Sequence, residues 1–109
     1  MMERRKSSRL DISFPVACNM LSKNHYFYTV SKNLCLGGLG IICNEFISVN
    51  SPLKISVNLI DRVITLKAQV IWCNRRRISD RYSVGLEFLE VNQANKHHID
   101  HFLHNMPLA

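Results

Sequence analysis

Nowhere in its 109 residues does this chain hold a long uninterrupted apolar run, so a membrane-spanning helix, which needs about 18–20 such residues, is excluded. Its charged start, Met-Met-Glu-Arg-Arg-Lys, is followed by no apolar segment and no small-residue cleavage site, and the chain is expected in the cytoplasm. Cysteine is present but never as Cys-x-x-Cys: Cys18, Cys35, Cys43 and Cys73 are far apart and mostly among apolar neighbours. That spacing favours reduced, buried thiols over a disulfide frame or a zinc knuckle. Acidic residues are few, eight against fourteen lysines and arginines, and they are scattered rather than paired. With no nucleophile signature and no phosphate loop either, nothing in the sequence supports an enzyme or a cofactor. There is no internal repeat and no low-complexity stretch.

What is present is enough apolar sequence, 47%, to build one hydrophobic core in a chain of single-domain length. The excess positive charge is concentrated. Residues 1–9 set Arg4, Arg5, Lys6 and Arg9 against Glu3, and residues 75–81 set Arg75, Arg76, Arg77 and Arg81 against Asp80, a net +3 in each segment that together makes up the whole +6. Both segments favour arginine, whose planar guanidinium fits phosphates and purine edges in a way an ammonium does not.

From Leu10 to Met20 the even positions are apolar, the alternation of a half-buried strand, with Pro15 marking an edge or a bend. After a turn at 21–25, the aromatic and β-branched residues Tyr26–Ser31 predict a second strand. Residues 32–38 read as a loop and Leu39–Cys43 as a third strand. Leu53–Leu59 and Ile64–Trp72 alternate on either side of Asp61-Arg62, a hairpin turn, and a basic loop over 74–81 leads to Tyr82–Phe88. Asn92 can cap a helix reaching Met106, with Asn95, Ile99, Phe102, Leu103 and Met106 on one side and Pro107 as the stop. The expected fold is all-β: a small six-stranded antiparallel barrel over 10–106, closed by a C-terminal helix at about 92–106 and preceded by a flexible basic arm, residues 1–9.

Two short motifs carry chemistry. Arg5-x-x-x-Arg9 puts two guanidinium groups within reach of one compact anion or of a guanine edge. Asn33-Leu34-Cys35-Leu36-Gly37-Gly38 offers an amide with donor and acceptor, and Gly38 can take a backbone conformation closed to other residues and let a ligand approach. Taken alone, the first is also what a solvated tail looks like and the second what a turn looks like.

Together they resemble the PilZ domain family, whose members carry Arg-x-x-x-Arg ahead of a six-stranded barrel and then Asp/Asn-x-Ser-x-x-Gly. Gly37-Gly38-Leu39-Gly40-Ile41, Val70-Ile71-Trp72 and Tyr82-Ser83-Val84-Gly85-Leu86-Glu87-Phe88 are similar to further stretches of such domains, so the resemblance spans residues 3–104. It implies a stand-alone receptor for the bacterial second messenger cyclic di-GMP, acting through an effector protein in motility, polysaccharide or biofilm control. Arg5 and Arg9 would clamp phosphate and guanine, Asn33 would contact a base, and Gly38 would be the close-approach position. Cys35 stands where the family has Ser. A thiol is the weaker donor, and one neutral hydrogen bond is worth about 1 kcal/mol, whereas each arginine is worth about 1.5–3 kcal/mol. Arg4 beside the motif suggests a stacked pair of nucleotides, and a ligand-induced homodimer is compatible with this. Two alternatives stay open: a PilZ-like adaptor that has lost the nucleotide, and a basic barrel binding single-stranded nucleic acid, for which Tyr26, Phe27 and Tyr28 are the available aromatics.

Three features have a plainer reading. The 75–81 segment reads as a solvated hairpin loop, with a surface for acidic partner proteins or a nonspecific phosphate patch as the alternatives, and the resemblance gives it no defined ligand role. His97, His101 and His104 share a helix side but find no further metal ligand on it. Trp72 is expected in the core or at the barrel rim.

Overall fold

The computed structural model describes residues 13–105. Six strands and one helix follow in chain order: β1 (Pro15–Met20), β2 (His25–Cys35), β3 (Gly38–Cys43), β4 (Pro52–Asn58), β5 (Val63–Arg75), β6 (Tyr82–Leu89) and α1 (Gln93–Asn105). All pairings are antiparallel, and the strands close into a barrel in the order β1-β2-β3-β6-β5-β4. Closure gives every strand a neighbour on both sides, although β2 meets β3 only from Ser31 onward. The expected fold class, an all-β barrel with a terminal helix, is what forms.

The period-2 pattern does most of the work. Val16, Cys18 and Met20 of β1, Leu53, Ile55 and Val57 of β4, and Val84, Leu86 and Phe88 of β6 all point inward and are buried. Pro15 is not an interruption but the first residue of β1, the position in a strand that best tolerates a missing N–H. The stretch 10–12, read as the start of this strand, lies outside the described residues.

The two ends of the barrel are closed differently. At one end α1 buries Ile99, Phe102 and Leu103, with the Phe102 ring edge-on to Phe14 at 5.6 Å. Asn92 caps this helix by accepting the Asn95 N–H at 2.7 Å. Met106, assigned to the apolar side of the helix, lies outside the described residues. At the other end, the connection from Cys43 to Pro52 buries Ile47, which strand periodicity could not find because it lies in a loop.

Two strands depart from simple alternation. In β5 the register with β6 shifts between Val70 and Trp72, at the point where Val70 exchanges backbone bonds with Asn50 and Ser51 (2.8 and 3.1 Å). The bulge inverts the phase, so Cys73 packs toward the core while Trp72 turns outward and is 43% exposed. The unbroken alternation from Ile64 to Trp72 expected from sequence is therefore wrong at its last member. β5 also runs on through Arg75, which pairs with Tyr82, so the basic loop narrows to residues 76–81.

Candidate functional site

The second departure builds the candidate site. β2 was expected to end at Ser31, with 32–38 as a loop; instead it continues to Cys35. Lys32 pairs with Gly40 and Cys35 with Gly38, so Asn33 and Leu34 together oppose the single residue Leu39. This is a β-bulge, and Asn33 takes its left-handed position at φ 56°. Asparagine is one of the few residues other than glycine that accepts that region. The physical drive is Leu34, fully buried in the core: the extra residue shifts the phase of the strand, sending Leu34 inward and leaving Asn33 exposed and Cys35 half-buried. Asn33 and Cys35 flank the buried Leu34 and so share the outer face, the arrangement two side chains need to meet one ligand.

Gly38 corrects the sequence reading. No glycine among the described residues has positive φ, so Gly38 is not required for an unusual backbone conformation. It is required for space: a Cβ there would collide with the Leu86 carbonyl oxygen of β6. What approaches Gly38 closely is the neighbouring strand, reinforced by Phe88 N–H donating to the Gly37 carbonyl at 2.8 Å. The conformational demand falls on Asn33 instead.

The surface beside this bulge contains residues the sequence reading passed over. Lys32, Gly40, Gly85 and Trp72 are register partners in one row across β2, β3, β6 and β5. Gly40 and Gly85 lie between buried neighbours, so their bare faces point outward, and the Trp72 indole lies against Gly85 where any Cβ would clash with it. A glycine within a strand marks a close approach, and that was the available signal. One row further along, Glu87 faces Gly38 in register and accepts from Gln69 at 3.2 Å. The outer wall next to Asn33 thus presents a cation, a flat glycine floor and an aromatic ring: groups that suit a phosphate and a purine.

Arg4, Arg5 and Arg9 lie outside the described residues. The four cysteines are free thiols. Burial, then the neighbouring charge of Cys43 on Cys18 and of Cys73 and Glu45 on Cys43, pushes both thiols up to about 12, so both stay protonated. Among the described residues no three His, Cys, Asp or Glu side chains are grouped to hold a metal, and no helix is long and apolar enough to cross a membrane. His97 and His101 stack at 6.4 Å on the outer side of α1, and His98 meets Arg62 at 3.1 Å.

The sequence profile of the PilZ domain matches residues 3–105, almost the entire chain, including the arginine arm and the bulge. The chain belongs to the PilZ domain family. Solved structures agree on the fold of this PilZ domain. The PilZ domain of YcgR from Escherichia coli, solved with c-di-GMP, superposes with a TM-score of 0.74 at 21% identity, covering 94% of this chain and 90% of that one. The Bacillus subtilis inhibitor of motility MotI (DgrA) gives 0.77 at 19% identity over 94% of this chain, and apo MrkH of K. pneumonia gives 0.78 at 17% over 96%. This PilZ domain spans about half the length of each of those two chains, 50% and 51%. No curated protein matches it in sequence. PilZ domains are receptor and adaptor domains that act on effectors.

Proposed function

We propose that this PilZ domain is a receptor that binds cyclic di-GMP in the cytoplasm and relays the signal to a partner protein, without catalysis of its own and without a cofactor. The observation that carries the reading is the bulge: it sets Asn33 and Cys35 on one outward face, in the chain positions of the family's Asp/Asn-x-Ser-x-x-Gly motif. In this reading Arg5 and Arg9 pair with phosphate and guanine, Asn33 contacts a base edge through its amide, and Lys32 and Trp72 border the bound nucleotide. Arg4 stacks on the second nucleotide of an intercalated pair, which gives two nucleotides per chain and allows the ligand to bridge two chains.

Titration calorimetry with cyclic di-GMP tests this directly. Wild type should bind two nucleotides per chain. Arg5→Ala/Arg9→Ala should lose at least about 3 kcal/mol of binding free energy, as expected for two charge-assisted contacts. Cys35→Ser should tighten binding about fivefold by restoring a hydroxyl donor worth about 1 kcal/mol. Absence of heat with wild type, restored by Cys35→Ser, would favour the second reading that Cys35 supports: an adaptor in which nucleotide binding has been lost. Unchanged binding by the double arginine variant would remove the clamp.

A further inference from the structure

One strand of this closed barrel is only half paired. The β2–β3 ladder ends at Ser31↔Ile41, yet β2 extends back to His25, pairing with β1 along that whole length. β3 extends on to Cys43 but there pairs only with β6. Ser31 N–H donates to the Phe14 carbonyl on the β1 side at 2.8 Å. Because antiparallel backbone groups alternate direction, the N–H and C=O groups of Tyr26, Tyr28 and Val30 point the other way, toward β3. The Ser31↔Ile41 pairing engages the Val30 carbonyl with β3, but among the described residues no strand pairs with Tyr26, Tyr28 or the Val30 N–H on that side. The walls part there into a cleft of about 860 Å³ running beside β2 from Lys32 to His25. Thr29 Oγ1 ties the two sides together by donating to the Ile42 carbonyl at 2.6 Å.

The side chains around this edge say what fits it. Tyr26, Tyr28 and Val30 are 64%, 83% and 42% exposed on the outer face of the same residues. Such an apolar edge strand is a template for another strand. Lys32, Arg76 and Arg81 line the cleft, and the one carboxylate among its described lining residues, Glu45, is already met by His25 at 3.3 Å. The basic loop thus lines the cleft beside the open edge. A second copy of the chain would set these cations against their own kind, and residues 1–9, net +3, would be repelled in the same way.

We propose that the open edge of β2 at residues 25–30 accepts an extended acidic segment of a partner protein as an added strand, with Lys32, Arg76 and Arg81 pairing its carboxylates. This surface adjoins the bulge at Asn33 through Lys32 but extends away from it along residues 25–30, and the proposal does not rest on nucleotide binding. The test is therefore run without nucleotide, on the full chain. The probe is a fluorescent ten-residue peptide of alternating Glu and Val, compared with its Lys-Val counterpart, with the same Glu-Val peptide N-methylated at alternate residues, and with an oligo-dT of equal length. The Glu-Val peptide should bind and slow hydrogen exchange at the Tyr26, Tyr28 and Val30 amides. Arg76→Ala/Arg81→Ala, at exposed positions, should weaken it about tenfold or more while the unfolding midpoint stays put. Four results would each overturn the proposal: no binding at about 1 mM peptide; binding without amide protection or equally by the N-methylated peptide, which would be charge attraction alone; tighter binding of oligo-dT; or amides already protected in the free protein, which would mean that the chain's own segment or, where protection rises with concentration, a second copy covers the edge.

Discussion

Replacing Gly38 by alanine tests whether that glycine makes room for a ligand or for the barrel itself. The added Cβ meets the Leu86 carbonyl oxygen, and behind it the Leu86 carbonyl carbon at 3.1 Å and the Glu87 Cα at 3.3 Å. All three are backbone atoms, so no side chain can swing away. Relief requires β3 to part from β6 where Gly38 faces Glu87 and where Phe88 N–H donates to the Gly37 carbonyl. Two or three backbone bonds at about 1 kcal/mol each are strained or lost, and alanine's smaller unfolded-state entropy returns about 0.4–1 kcal/mol. The expected cost is about 2 kcal/mol, or a fall in Tm of roughly 10 °C for a domain of this size. Urea unfolding followed by fluorescence of the single tryptophan, Trp72, measures it. A Gly38→Ala protein as stable as wild type but with impaired nucleotide binding would refute the reasoning, because the space above Gly38 would then belong to the ligand.

Other consequences can be measured the same way. Asn33→Gly should leave stability within a few tenths of a kcal/mol, whereas Asn33→Ala should lose about 1 kcal/mol to left-handed strain; equal stability of the two would mean that φ 56° is not held in solution. Asn92→Ala removes the cap on Asn95 and should cost about 1 kcal/mol, seen as faster amide exchange in the first turn of α1. The Cys18 and Cys43 thiols are raised to about 12 in the fold from an ordinary 9.0. Above about pH 9 the unfolded chain therefore releases protons that the folded one keeps, and stability falls as the pH rises from there toward 12. Comparing urea midpoints near neutral pH and at about pH 10.5 should show a smaller decline in Cys18→Ala/Cys43→Ala than in wild type. Alkylation at mildly alkaline pH should label the half-buried Cys35 and Cys73 while sparing Cys18 and Cys43; early labelling of Cys18 would contradict its burial.

Much of the fold was legible wherever one rule acted alone. The alternation in β1, β4 and β6 needs only a buried and a wet face, and the cap at Asn92 needs only its own helix. Legibility failed at the two bulges. Nothing local to Trp72 says that Asn50 and Ser51 will bond Val70 and turn the phase of the strand. Likewise Asn33 looks like a loop residue until Leu34 is seen to need a place in the core. The candidate site was half visible for the same reason. Asn33, Cys35 and Gly38 were found through the resemblance to the family's motif, but Lys32 and Trp72 join them only because Gly40 and Gly85 align across three strand pairings.

By itself, then, the order of residues determined the fold class, the helix and the family, since period, caps and motif spacing are short-range properties of the chain. The three-dimensional structure alone decided the rest. It assigned Gly38 to the packing of β3 on β6, and it brought Arg76 and Arg81 to the open edge of β2, some fifty residues earlier in the chain. Both depend on which strands become neighbours when the barrel closes, and neighbours across a closed sheet are set by register between distant segments, not by anything either segment holds alone.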